Sequence, residues 1–374
     1  MKRVWMLIGI ASLVFTFLKS SGLAAQTEAW KADWEKTIQA AKKEGQLTLY
    51  GSPDFEGLFG ELHKKYPEIK ITGVFNRGAD VAKRLMAERR AEKYLADVYS
   101  AGGGSLYQTL YQGKMIDPIK PALILPEVTD QTSWYQQKHH YSDSEKQYVF
   151  NYVGSASYGG ISYNTTLVDP KQFKSYWDLL DPKWKGKILA RDIRTAGPGS
   201  GNARFLYHHP ELGAPFIHKL FGEMDVTLFR DYRQGPDWLA LGKYSLCFSC
   251  DVDILKDQGL PLATIGPKVF KEGGAMIQQF GSVTLVNKAP HPNAAKVFIN
   301  WLLSRRGQIT LQKRLANGES PADSLRIDIP KDDVPMLVRR VEGVKYLDAS
   351  NPEWLDMKPI LKVMNEALKS PEKR

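Results

Sequence analysis

The sequence predicts an α/β protein built as two lobes. Short apolar and β-branched runs alternate with helical periods from Trp34 to Gly113, the pattern of a parallel sheet covered by helices. The alternation resumes after residue 160, so a second α/β unit follows the first. A chain of 374 residues is also long for a single hydrophobic core.

The elements follow in order. Trp34 to Glu44 reads as a short amphipathic helix ended by Gly45. Gln46 to Tyr50 is the first strand, followed by Gly51-Ser52-Pro53, and Phe55 to Tyr66 is a helix ended before Pro67. Lys70 to Phe75 is the second strand, with Asn76-Arg77-Gly78 at its end and a helix over Asp80 to Lys93. The third strand, Ala96 to Ser100, runs into Gly102-Gly103-Gly104-Ser105 and a helix over Leu106 to Gly113. Asp117 to Lys146 has no clear period and reads as an irregular connection.

Tyr148 to Tyr163 alternates small and aromatic residues, and Gly159-Gly160 permit hinge angles. Beyond it come a helical turn at Ser175 to Leu180, strands at Lys187 to Arg191 and Val226 to Phe229, and helices at Ala203 to His208 and Pro236 to Leu241. A strand over Tyr244 to Ser249, a helix over Asp251 to Gln258 and a short extended run at Leu262 to Ile265 complete that unit. Ser282 to Val286 is again a strand. After the turn of Pro290 and Pro292, Ala294, Val297, Phe298, Trp301 and Leu302 recur at helical spacing, with Arg305-Arg306 at the expected C-terminus and Gly307 to release the chain. Two crossings divide the chain into one lobe of residues 26–157 and 278–374 and another of 158–277. The tail helix, Trp354 to Leu368, is expected to pack on the first lobe.

Three stretches resemble one family. APHPNAAKVFINWLLSRRGQ (Ala289 to Gln308), YWDLLDPKWKGKI (Tyr176 to Ile188) and YNTTL (Tyr163 to Leu167) are similar to hallmarks of the periplasmic solute-binding proteins of ATP-binding-cassette importers, in the ferric-iron-type branch. The resemblance covers nearly the whole chain after residue 25. It implies a two-lobed periplasmic binding protein type II fold with a ligand cleft between lobes that close by hinge motion. It further implies a monomer that delivers a small solute to a membrane permease and its ATPase, with no catalysis and no cofactor. A sensor subunit and a secreted enzyme on the same fold are the alternatives from other classes.

The first 25 residues agree with export. Lys2-Arg3, the apolar run Val4 to Leu18 and the small residues Gly22 to Ala25 form a secretory signal pattern, and its apolar run of roughly 15 residues is too short to span a bilayer. The periplasm is the expected compartment. A formal charge of +10 is spread over 51 basic and 41 acidic residues without a basic tract, which argues against nucleic acid and leaves a bias toward anionic ligands. Cys247 and Cys250 are the two cysteines. A strand over Tyr244 to Ser249 would hold them on opposite sides, whereas a turn after Phe248 would let them close into a disulfide, and both readings stand.

In an open α/β sheet, ligands sit beyond the carboxyl ends of the strands. Ser52, Asn76, Arg77, Gly103, Gly104 and Ser105 are therefore the candidate ligand contacts in the first lobe. Tyr158, Arg191, Thr195, Ser200, Asn202, Arg230, Ser249, Cys250 and Asp251 are those in the second. The Gly and Ser runs that open helices favour an anion, and Arg191 is the expected countercharge, on the surface and without a part in stability. Ferric-binding members of the family place two consecutive tyrosines near the strand end at Ser249-Cys250-Asp251. No Tyr-Tyr pair occurs in this sequence, and a hydroxyl, a thiol and one carboxylate suit Fe³⁺ poorly. A small anionic or organic solute is therefore the expected ligand, ferric iron the second, and no metal site is assigned. The seven histidines show no metal spacing, and no G-x-S-x-G, H-E-x-x-H or Walker sequence occurs.

Overall fold

The computed structural model describes residues 29–103, 106–158, 160–194, 199–231, 233–316, 321–335, 338–349, 351, 354 and 356–369, without the side chains of 108, 157, 158, 199 and 278–280. The leader-like segment, Gly104, Ser105, Gly159 and Thr195 lie outside the described residues. Among those described, no helix is long and apolar enough to cross a membrane.

The strands are β1 Gln46–Gly51, β2 Lys70–Phe75, β3 Val98–Ala101, β4 Ile116–Asp117, β5 His140–Tyr141, β6 Phe150–Tyr158, β7 Ile161–Asn164, β8 Ile188–Arg191, β9 Thr227–Phe229, β10 Leu246–Phe248, β11 Leu262–Ile265, β12 Gly274–Val286, β13 Asp323–Ser324 and β14 Tyr346–Asp348. One sheet runs β13-β6-β12-β3-β1-β2, and the other β11-β7-β10-β8-β9. The main helices are α1 at 29–44, α2 Gly60–Lys65, α3 Gly78–Arg90, α4 Gly199–His208, α5 Gly213–Glu223, α6 Gln234–Ala240, α7 Asp253–Asp257, α8 Pro292–Leu303, α9 Arg305–Ala316 and α10 Lys358–Leu368. The expected α/β class is thus observed.

The chain forms two units. Of the described residues, the first holds 29–152, 281–316 and 324–330; the second holds 153–280, 321–323 and those from Lys331 on. The chain passes between them inside β6 and β12, a few residues from the expected boundaries. The tail is a correction. Its helix α10 packs on α5, and Ile360, Met364 and Ala367 join Phe216 and Leu220 in the core of the second unit, not the first. Their i, i+4, i+7 spacing makes one apolar stripe, but a stripe does not say which core receives it.

In the first unit β1 pairs in parallel with β2 and β3, while β12 returns antiparallel beside β3. Helix α8 is buried on nearly every side; its polar Asn300 is satisfied by Ile124 N and Leu125 N, which donate to its Oδ1, and by the Ala122 carbonyl, which accepts from Nδ2. The sequence expected Arg305-Arg306 to close this helix and Gly307 to release it. Instead Ser304 ends α8 and starts α9, accepting at Oγ from Gly307 N at 3.1 Å. Gly307 lies inside α9, at a place where a Cβ would overlap the Trp301 carbonyl.

In the second unit β8, β9 and β10 are parallel, and β7 runs antiparallel between β10 and β11. The carboxyl ends of β8, β9 and β10 therefore share an edge with the start of β7. If α10 belongs to this core, Met364→Ala should lower stability by about 2–5 kcal/mol, the usual cost of a large-to-small core change. Denaturant unfolding checks it, and a loss well under 1 kcal/mol would place the helix outside.

Candidate solute site

The expected contacts gather in two groups, one per unit. In the first unit Ser52, Asn76, Arg77 and Gly103 follow β1, β2 and β3 and stand along one sheet edge. Ser52 N donates to the Ser100 carbonyl at 3.1 Å and Asn76 N to the Gly51 carbonyl at 3.1 Å, so both loops continue the ladder before turning away. Ser52 Oγ donates to Asp54 at 3.2 Å, and Asn76 Oδ1 accepts from Arg77 N at 2.7 Å. Gly104 and Ser105 lie outside the described residues, so only Gly103 of that run is placed.

The second group is more strongly built. Asp192, one residue past β8, is 3 % exposed. Its Oδ1 accepts from Arg194 Nε at 2.8 Å, and its Oδ2 accepts from Arg194 Nη2 at 2.9 Å and from Arg230 Nε at 3.1 Å. Asp192 N continues the ladder by donating to the Phe229 carbonyl. One buried carboxylate thus orients guanidinium groups from the ends of two adjacent strands. The hydrogen bond from Arg194 is the main reason its carboxyl is held down to about 2, with Arg230 adding to it.

Arg191 departs from expectation. It is 9 % exposed, its guanidinium lies 5.6 Å from the Phe229 ring, and its Nη2 donates to the Arg230 carbonyl at 3.3 Å. It is buried instead of on the surface, so Arg191→Ala would disturb folding, against the expectation that it plays no part in stability.

Beside β8, β10 ends at Phe248. Ser249 then turns with φ of 61°, and Cys247 and Cys250 are joined in a disulfide with Cα atoms 5.8 Å apart. The strand is three residues long and not the six expected, which is why the pair can close. It also means that Cys250 is not a free thiol. Helix α4 begins at Gly199, earlier than expected, and so takes Ser200 and Asn202 into its first turn. Asn202 Nδ2 donates to Ser249 Oγ at 2.7 Å. Arg191, Asn202, Phe248 and Ser249 border a cavity of about 20 Å³ that continues between Leu206 and Met364, room for about one water and not for a solute. Asp251 is exposed and accepts from Asp253 N at 3.3 Å. Thr195 and the side chain of Tyr158 lie outside the described part; the backbone of Tyr158 ends β6 just before β7.

Asp192 and Ser162, whose Oγ donates to the Cys250 carbonyl at 2.8 Å, escaped the sequence reading. An acid between two arginines directly after a strand, Arg191-Asp192-Ile193-Arg194, is the signal that could have found the first.

The model of the family described as bacterial extracellular solute-binding protein matches residues 94–337. The chain belongs to this family. An uncharacterized protein of Haemophilus influenzae is 26% identical over 281 residues, 72% of this chain and 76% of its own. The Trichodesmium protein IdiA (FutA), solved in complex with iron and citrate, covers 86% of this chain and 99% of its own at 17% identity, with a TM-score of 0.60. An ABC transporter structure from Clostridium perfringens covers 86% and 97% at 15% identity, with a TM-score of 0.58. The structural likenesses establish the fold, and the family establishes a solute-binding protein.

The Asp192 site carries a pH prediction. Its folded pKa lies below the ordinary 3.8, so its stabilisation is present in full above pH 4 and is lost as pH falls toward about 2. That contribution is on the order of 2 kcal/mol. Acid unfolding of Asp192→Asn beside the parent protein, followed by circular dichroism, should show a smaller loss of stability between pH 4 and pH 2 in the variant. Parallel curves would remove Asp192 from the balance.

Proposed function

We propose that this protein captures a small anionic solute in the periplasm and hands it to the permease of an ATP-binding-cassette importer. One observation carries the ligand class: Arg194 and Arg230 are oriented by a single buried carboxylate at a carboxyl sheet edge, while their own side chains remain 40% and 68% exposed. Two cations sharing one acid retain net positive charge, and planar guanidinium groups suit a carboxylate or phosphate. The first turn of α4, bearing Ser200 and Asn202, adds the positive end of a helix dipole.

Citrate, inorganic phosphate and a neutral hexose distinguish the classes by calorimetry. An anion should bind, more weakly as salt rises. Arg194→Ala and Arg230→Ala should each weaken it about 10- to 100-fold, or about 1.4–2.7 kcal/mol. Tight binding of the hexose with no effect of either substitution would overturn the proposal.

The iron and citrate in the Trichodesmium structure give the second reading, ferric iron, its support. With no Tyr-Tyr pair in the sequence, titration with ferric citrate should raise no visible tyrosinate-to-iron band. A band lost on substituting Asp251 or a tyrosine would establish the ferric reading instead.

A further inference from the structure

The turn after β10 is held in a conformation that its own residues resist. Ser249 has φ of 61°, a region that residues with side chains seldom occupy. Such a backbone persists where its surroundings over-determine it. Three contacts do so here. The Cys247–Cys250 bond spans the turn, Asn202 Nδ2 donates to Ser249 Oγ at 2.7 Å, and Ser162 Oγ donates to the Cys250 carbonyl at 2.8 Å.

The two sulfurs have different settings. Cys247 is fully buried, in a cluster with Leu189, Phe229 and Leu239 beneath the ends of β8 and β9. Cys250 is half-buried on the turn itself. One end of the bond is therefore anchored in the sheet's packing and the other draws the turn toward it. The sequence separation is only 3, and so short a ring removes little entropy from the unfolded chain. Its effect falls on the turn more than on the whole unit.

We infer that the Cys247–Cys250 disulfide is a positioning element of the solute site, setting the left-handed turn that holds Ser249 against Asn202 and places Asp251 beside them. The inference rests on the proposed anion site for the solute, but not for the turn. A dithiol opens the bond in two exchanges. In the first, a reductant thiolate attacks the sulfur of Cys250, the protein S–S bond breaks, and Cys247 leaves as a thiolate. In the second, the other thiol of the reductant displaces Cys250 and leaves as a cyclic disulfide. Two electrons pass to the protein, and two protons end on Cys247 and Cys250. Ser249 then relaxes out of the left-handed region and its hydroxyl leaves Asn202.

The full chain is compared in three forms: oxidised, treated with dithiothreitol, and as the double variant Cys247→Ser, Cys250→Ser. Amide hydrogen exchange across 245–253 and calorimetry with citrate are the two readouts. The inference expects exchange at 249–252 to rise tenfold or more in both altered forms, with the rest of the second unit unchanged. It also expects citrate affinity to fall about tenfold, and both effects to reverse when the reduced protein is re-oxidised. Unchanged exchange at 249–252 would overturn it, as would a rise spread through the whole unit, which marks a general staple. Equal citrate affinity in the oxidised and reduced forms would take the disulfide out of the site. Failure of the oxidised protein to bind citrate counts against the proposed citrate site alone, since exchange still decides the turn. Should the double variant not fold, the reduced parent protein supplies the same comparison.

Discussion

Asp97 has no exposed surface, and its two oxygens are taken up by three donors. Oδ2 accepts from Thr48 N at 2.7 Å and from His291 Nδ1 at 2.9 Å, and Oδ1 accepts from His291 N at 2.7 Å. Asp97 lies at the amino end of β3, Thr48 in β1, and His291 at the start of α8. The carboxylate thus fixes the distance between two parallel strands and the helix that covers them. Glu44 reinforces it by accepting from Asn293 N and Ala294 N in the first turn of α8, where backbone N–H groups have no partner within the helix. Because the entry to α8 is fixed at the amino edge of the sheet, the loops at the carboxyl edge are left free of that structural task.

Asp192 applies the same chemistry at the opposite kind of edge. It too is buried, but its partners are mainly side chains. A backbone N–H held by a carboxylate cannot turn to another acceptor without moving a strand or helix. A guanidinium held by one carboxylate keeps further N–H donors and its charge. Asp97 therefore consolidates the fold, while Asp192 presents positive charge. Arg191 adds to this from below: it rests on the Phe229 ring and donates to the Arg230 carbonyl, so the loop that bears Arg230 has a fixed floor.

Much of the fold was legible because it is local. The parallel strands of both units follow from short apolar runs and the Gly, Asn and Pro residues that end them, and the edge at which the contacts gather follows from the α/β rule. The parts that escaped depend on contacts between segments far apart in sequence. The apolar stripe of α10 fits either core by pattern, and only packing on α5 assigns it. Arg305 and Arg306 look like the end of one helix, yet Ser304 makes them the start of the next, with Glu127 Oε2 accepting from Arg305 N at 2.9 Å. The cysteines look like the two sides of a strand until Ser249 turns left-handed. The disulfide closes that turn locally, but Asn202 and Ser162, which also hold it, lie on other elements.

If the proposed anion site is right, the arrangement at Asp192 bears on specificity more than on raw affinity. Long arginine side chains ordinarily lose rotamer freedom when they meet a ligand. Here two of them are oriented before any ligand arrives, since the buried acid holds Arg194 bidentately and Arg230 through Nε. The ordering cost falls within folding, and an anion meets a fork already formed. A neutral solute in the same place would strip water from two guanidinium groups and return no charge to them, a penalty that grows as the surroundings dry. Discrimination then comes from what the wrong solute fails to satisfy. In the proposed site, the hydroxyl and amide groups of Ser249 and Asn202, already bonded to each other, would add direction to the rest of the solute and leave charge selection to the arginines.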